Sequence, residues 1–159
     1  MDVEIITIGD EIISGHVVDS NASFIAQQLA TAGLTVKYRS SVGDSVEQME
    51  EVFRLALRRA SLVICTGGLG PTDDDRTAKA TARAFDRSLS LNDVALMQIR
   101  ARFSARQREM HPRNEKQALL PSRSTIIANL NGTAPGFHLQ SNQSDLYFLP
   151  GVPAEMLAM

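Results

Sequence analysis

Leu62-Val63-Ile64-Cys65-Thr66-Gly67-Gly68-Leu69-Gly70-Pro71-Thr72-Asp73-Asp74-Asp75-Arg76-Thr77 joins a short apolar run to a glycine turn and an acidic stretch. Leu62 to Thr66 has the length and composition of a buried strand stopped by Gly67-Gly68. A helix is expected to begin near Asp74 and to run through Ala78, Ala82 and Phe85. Aspartate caps helices and suits the positive end of the helix dipole. Three in succession exceed what capping requires.

The same grammar recurs on the N-terminal side. Val3 to Ile8 is a β-branched run stopped by Gly9-Asp10, and Thr35 to Val42 alternates loosely and stops at Gly43-Asp44. Between them Ala22, Ile25, Ala26, Leu29 and Ala32 share one helical face, capped by Asp19 or Ser20 and ended by Gly33. After Gly43, Asp44 or Ser45 caps a helix carrying Val46, Met49, Val52, Phe53 and Ala56, with Glu47 or Gln48 to complete a capping box. Three strands alternating with three helices predict an α/β domain, a mostly parallel sheet with helices on both faces. Beyond it a helix is expected from Asp93 to Glu109, with strands at Thr125 to Ala128 and Leu146 to Leu149. Pro150 to Met159 reads as a loop entering a further helix, so the chain is expected to be one domain, 1–159, from a longer protein.

Bulk composition narrows the classes. The 159 residues are ordinary in hydrophobic content (43%) and carry a net charge of -2, so nothing global draws them to nucleic acid or an anionic membrane. Arg100, Arg102, Arg106, Arg108 and Arg113 read as a solvated face, because aromatic residues (5%) are too sparse for base stacking. Cys65, the one cysteine, reads as a small buried strand residue and fits a reducing compartment. An acidic start at Met1 to Ile5 and the absence of a long apolar run make the cytoplasm the expected location. His16, His111 and His138 show no metal-ligand spacing.

Ligands of open parallel sheets bind beyond the carboxyl ends of the strands. The turns expected there are Gly9-Asp10-Glu11, Gly43-Asp44, Gly67-Gly68-Leu69-Gly70 and Pro150-Gly151. Glycines let backbone N–H groups approach an anion closely, which describes a rim for phosphate. Carboxylates facing phosphate make sense with a bridging cation such as Mg²⁺. Asp10-Glu11 reads either as a solvated turn or as part of such a site, and Asn131-Gly132-Thr133-Ala134-Pro135-Gly136 either as a hairpin turn or as another ligand loop. No Gly-Lys-Ser/Thr follows Gly70, so the loop is not a P-loop.

Five ordered blocks resemble the N-terminal domain of the CinA (competence/damage-inducible protein A) family. They are Gly9 to Gly15 with Asp19 to Ala22; Thr66 to Thr72 with Asp74, Asp75 and Thr77; Asn114 with Lys116 to Ala118; Gly132 to Phe137; and Leu149 to Pro153 with Glu155-Met156. That domain is similar to the molybdopterin-binding proteins MoaB and MogA. The resemblance implies a three-layer α/β/α fold and a metal-dependent hydrolase, an ADP-ribose pyrophosphatase that uses Mg²⁺ or Co²⁺ and K⁺. It implies catalytic roles for Asp74 and Asp75, and a metal held by Asp10, Glu11, Asp74 and Asp75. Ligand contacts are expected from Gly9, Asp10, Glu11, Ser14, Gly15 and Asn21. A second group is Thr66, Gly67, Gly68, Gly70, Pro71 and Thr72, and a third is Gly132, Thr133, Pro135, Gly136, Pro150 and Gly151. The family's nicotinamide mononucleotide deamidase domain has no counterpart here. Two alternatives stand: a module that binds molybdopterin without chemistry, and a domain active only with a missing C-terminal partner. Relatives form dimers or trimers, and Met156, Leu157 and Met159 are either an interface or a cut helix. Lys79 and Leu130 depart from the family pattern of glutamate and proline.

Overall fold

The computed structural model describes residues 1–141 and 143–159. Strand β1 (Val3–Ile8) is buried at every position, as a strand covered on both faces must be. It lies between β2 (Val36–Val42) and β3 (Leu62–Thr66), parallel to both. On the other side β3 pairs in parallel with β8 (Ser144–Leu149). The sheet then turns antiparallel through β7 (Gly136–Ser141) to β6 (Thr125–Ile127), in the order β2-β1-β3-β8-β7-β6.

Helices cover both faces. On one side α2 (Ser20–Thr31) and the single turn α6 (Pro153–Met156) bury Ala22, Ile25 and Met156 against Ile5. On the other, α3 (Val46–Arg59), α4 (Thr77–Ala84) and α5 (Asp93–Ala105) close over the larger core, where Phe53 meets Phe148 edge-on at 5.5 Å and Phe148 stacks on Phe137 at 4.5 Å. The expected three-layer α/β/α architecture with a mostly parallel sheet is present. No helix among the described residues is long and apolar enough to cross a membrane. Cys65 is buried, and burial pushes its thiol well above the usual range, as an inert strand residue requires.

Several boundaries differ from the sequence reading. Asp19 caps α2, its Oδ1 accepting the Ala22 N–H at 2.9 Å, and Ser45 rather than Asp44 caps α3. The helix expected near Asp74 begins at Thr77, because Asp73 to Asp75 belong to the turn before it. The helix expected to reach Glu109 ends at Ala105, and Gln107 two residues later has left-handed φ 51. β4 (Leu89–Leu91) and β5 (Leu119–Pro121) form a separate antiparallel pair, preceded by a 3₁₀ helix over Pro112–Ala118. The turn α1 (Asp10–Ile13) and strand β7 were also not expected. Met156 is 3% exposed and part of the core, which removes it from any interface, whereas Leu157 stays half exposed.

Phe148→Ala should lower stability by about 3–5 kcal/mol, the range for truncating a fully buried aromatic. Urea unfolding reads this as a lower midpoint at unchanged slope; a loss under ~1 kcal/mol would show that the Phe53-Phe148-Phe137 stack does not organise the core.

Candidate active site

The strands β1, β2, β3 and β8 end at one edge of the sheet, where the chain closes on itself through backbone and two polar side chains, one buried and one half-buried. Gly9 donates its N–H to Val42 O and Gly67 to Leu149 O, both at 3.0 Å. Thr66 Oγ1 donates to Pro150 O at 2.8 Å, and Asn21 Nδ2 reaches Gly151 O at 2.9 Å and Thr66 Oγ1 at 3.0 Å. At Gly67 (φ 117) a Cβ would run into the Ile8 carbonyl oxygen, so only glycine lets β1 and β3 end side by side.

These turns wall a cleft of about 520 Å³. Its base is backbone from Gly9, Gly67, Gly68, Gly70, Pro150 and Gly151, and its sides include Pro71, Thr72 and Thr133. Glu11, Asp44, Asp74, Asp75 and Glu155 bring five carboxylates to it. Asp75 is fixed by its own turn: Oδ2 accepts the Thr72 N–H at 2.9 Å and the Thr72 hydroxyl at 2.5 Å. Its Oδ1 takes no hydrogen bond among the described residues. Asp74 is exposed beside it.

The remaining expected residues act one step back from the cleft. Asp10 does not line it; its Oδ1 accepts the Asp44 N–H at 3.0 Å while its own N–H donates to Asp44 Oδ2 at 3.2 Å. Asp44 thereby takes the place in the cleft that Asp10 was expected to hold. Ser14 bonds locally, to Glu11 O at 3.3 Å and His16 Nδ1 at 2.7 Å, and Gly15 sits in an exposed turn. Thr66 and Asn21 tie strand ends rather than touch the cleft. Gly136 opens β7, and Pro135 lines a neighbouring cavity. Gly132 packs against the Glu155 carboxylate, where a side chain has no room. The loop over residues 128–135 is a hairpin connection, and its Thr133 and Ala134 also border the cleft.

Three residues were missed. Asp44 read as a helix cap, and Ser45 was an equal candidate for that role. Glu155 is aimed by Asn129, whose Nδ2 donates to Glu155 Oε2 at 2.7 Å and to Ala134 O at 2.8 Å, while its Oδ1 accepts the Asn131 and Gly132 N–H groups. Gln117 borders the cleft from the 3₁₀ helix. A buried asparagine is hard to tell in sequence from a surface turn residue. Among the described residues no three Asp, Glu, His or Cys side chains converge closely enough to hold a metal by themselves.

Crowding leaves an electrostatic mark on Asp44. Burial pushes its carboxyl above the usual range, the Asp10 N–H opposes this, and the charges of Asp10, Glu11 and Asp74 push it up again.

Residues 4–159 match the family described as a probable molybdopterin binding domain. The chain belongs to that family, in its CinA-like branch. It is 50% identical along its whole length to a CinA-like protein of Syntrophotalea carbinolica and 50% identical to one of Geobacter sulfurreducens, covering 39% and 38% of them. It therefore spans about two fifths of the length of the curated relatives it matches. The crystal structure of CinA from Thermoplasma acidophilum superposes with a TM-score of 0.92 at 36% identity, over 99% of this chain and 92% of that one. MoaB from Thermus thermophilus superposes at 0.64 with 24% identity, over 98% and 84% of the two chains, which shows a shared fold. The Thermoplasma acidophilum protein thus shares the fold that frames the cleft.

Two outcomes follow. Gly67→Ala should separate the ends of β1 and β3, lowering stability by more than the ~1 kcal/mol of an ordinary glycine replacement; a melting temperature equal to the parent's would show that the edge can relax. Asp44→Asn tests the charge. A raised folded-state pKa means the folded state binds the extra proton, so the penalty from Asp44 appears as pH rises above the ordinary aspartate range of about 3.9. Asp44→Asn should melt higher than the parent at pH 7, the gap closing toward pH 3; a gap independent of pH would assign the effect to packing.

Proposed function

We propose that the cleft hydrolyses a nucleoside diphosphate sugar, ADP-ribose to AMP and ribose 5-phosphate, with a divalent cation and K⁺. The observation that carries this reading is the gathering of glycine turns and carboxylates around one cleft, in a chain of the CinA-like family. Glycine backbone suits the pyrophosphate. Five carboxylates would repel it without a cation. The donor set fits Mg²⁺, which takes one or two carboxylates and completes its shell with water and substrate phosphate. Glu11 and Asp74, both exposed at the cleft, would hold the ion, which would neutralise phosphate charge and acidify water when bound.

In the reaction a water oxygen bonds to phosphorus, the bridging P–O bond breaks, and the bridging oxygen leaves with one product phosphate. Asp75 is the base. Its Oδ2 is anchored on Thr72, leaving Oδ1 to accept the proton of the attacking water. Asp44, crowded by its neighbours, sets the negative field that favours the cation.

A second reading is favoured by the family itself: the cleft binds a pterin phosphate such as molybdopterin without breaking a bond. Assembly as a homo-oligomer, dimer or trimer, belongs with either reading.

Purified chain with ADP-ribose, Mg²⁺ or Co²⁺ and K⁺ should release AMP, resolved by ion-exchange chromatography. Asp75→Asn keeps an acceptor for Thr72 and should fold normally while turnover falls by at least about 10²-fold, the scale of a lost general base. EDTA should abolish release. Tight pterin binding with no AMP under any metal would replace hydrolysis by the second reading.

A further inference from the structure

Five carboxylates line the larger cleft, and no Lys or Arg among the described residues joins them. An anion held there depends on a bound cation and on backbone N–H groups. One stretch of the wall nevertheless has positive charge behind it. The loop over residues 128–135 borders the cleft through Thr133 and Ala134 and is tied on another side to the end of α5. Arg102 and Arg106, expected on a solvated face, reach this loop instead. Half-buried Arg102 donates its Nε–H to Gly132 O at 3.3 Å, and Arg106 donates from Nη2 to Asn131 O at 2.8 Å.

Each of these carbonyls belongs to a trans peptide, whose N–H points the opposite way. The Asn131-Gly132 peptide shows the consequence. Its carbonyl faces Arg106, and its N–H, that of Gly132, donates to Asn129 Oδ1 at 2.7 Å. In the next peptide the carbonyl faces Arg102, and the N–H is that of Thr133, the residue at the cleft wall. Gly132 is buried with the Glu155 carboxylate packed against it, so this peptide is held on several sides. A guanidinium on a carbonyl oxygen polarises the amide and makes its N–H a stronger donor.

We infer that Arg102 is a positioning residue of the cleft. Through the Gly132-Thr133 peptide it aims and polarises the Thr133 N–H, which donates to a phosphate oxygen of the ligand. Arg106 assists by fixing the peptide before it. Positive charge thus acts on the anion from behind the wall, where it does not compete with a divalent ion for the carboxylates. This rests on the proposal that the cleft holds a phosphorylated ligand, but not on hydrolysis.

The test is amide shift mapping on the intact chain with magnesium pyrophosphate, which should move Thr133 together with Gly67 to Gly70. Arg102→Met should weaken binding about fivefold or more, the scale of one hydrogen bond. It should also shrink the Thr133 response while Gly67 to Gly70 still respond. Arg102→Lys has a similar stem but keeps a charged donor, and should bind within about twofold of the parent. That rescue reports charge and not packing. Arg100→Met, on the same helix but paired with Glu115, should bind like the parent. Arg106→Met should lose affinity by a smaller factor, and it carries the test if Arg102→Met does not fold. If Gly67 to Gly70 move and Thr133 does not, the inference is wrong and the phosphate site stands. The same holds if Arg102→Lys binds as poorly as Arg102→Met, or if Arg100→Met loses as much. If none of these amides moves, the phosphate site falls and the inference with it.

Discussion

At the carboxyl edge of the sheet, backbone has to touch backbone. Gly67 lies so close to Ile8 that a methyl group would collide with its carbonyl oxygen, and a Cβ on Gly151 would stand 3.2 Å from the Gly67 Cα. This closeness aligns the ends of β1, β3 and β8 and allows Thr66, Asn21, Pro150 and Gly151 to hydrogen-bond across them. The cleft is the space left by strands that end together. Its rigidity is inherited from the most buried part of the sheet.

The acidic character arises differently, because the carboxylates stand on turns and not on the sheet. Asp75 reaches back to Thr72 and closes a tight loop, so the aspartate triplet is used up in the turn before α4. The helix is started instead by Thr77, buried, with its hydroxyl on the Gly67 carbonyl at 2.9 Å. Asp10 and Asp44 exchange backbone hydrogen bonds and fix one another, with Asp44 turned to the cleft. Glu155 comes from the far end of the chain and is held by Asn129. Asp75, Asp44 and Glu155 are thus each placed by a hydrogen bond independent of any ligand.

That division explains what could be read from the sequence. The strands β1 and β3 were legible as apolar runs and the edge strand β2 by its alternation, and the glycines after them marked the site edge. β4 and β5 were not, since three residues, exposed in β4 and mostly buried in β5, are too short to show a period. β7 was hidden because Gly136 belongs at once to a glycine-rich loop and to a ladder. Asp74, Asp75, Glu11 and the loop Gly67 to Thr72 were found because charge and glycine are visible without structure. Asp44, Glu155 and Gln117 were not assigned to the site, because their role depends on which of two adjacent residues caps a helix, or on contacts more than twenty residues away. Asp10 was assigned and stands behind the cleft for the same reason: adjacency to a glycine turn does not tell which way a side chain leaves it.

The two sides of the glycine loop finally differ in charge. Glu11, Asp44, Asp74, Asp75 and Glu155 border the larger cleft, whereas Lys79, Lys116 and Arg76 border the neighbouring cavity together with Asp73 and Asp75. Lys116 is partly buried, which lowers the pKa of its ammonium, while Asp75 and Asp73 act against that loss. Behind the loop three cations stand beside two acids, whereas no Lys or Arg among the described residues lines the larger cleft. The net charge of -2 conceals this polarity, because it sums over both sides. The close approach at Gly67 leaves no room for a side chain, so the side chains that give this edge its charge stand on the turns around it.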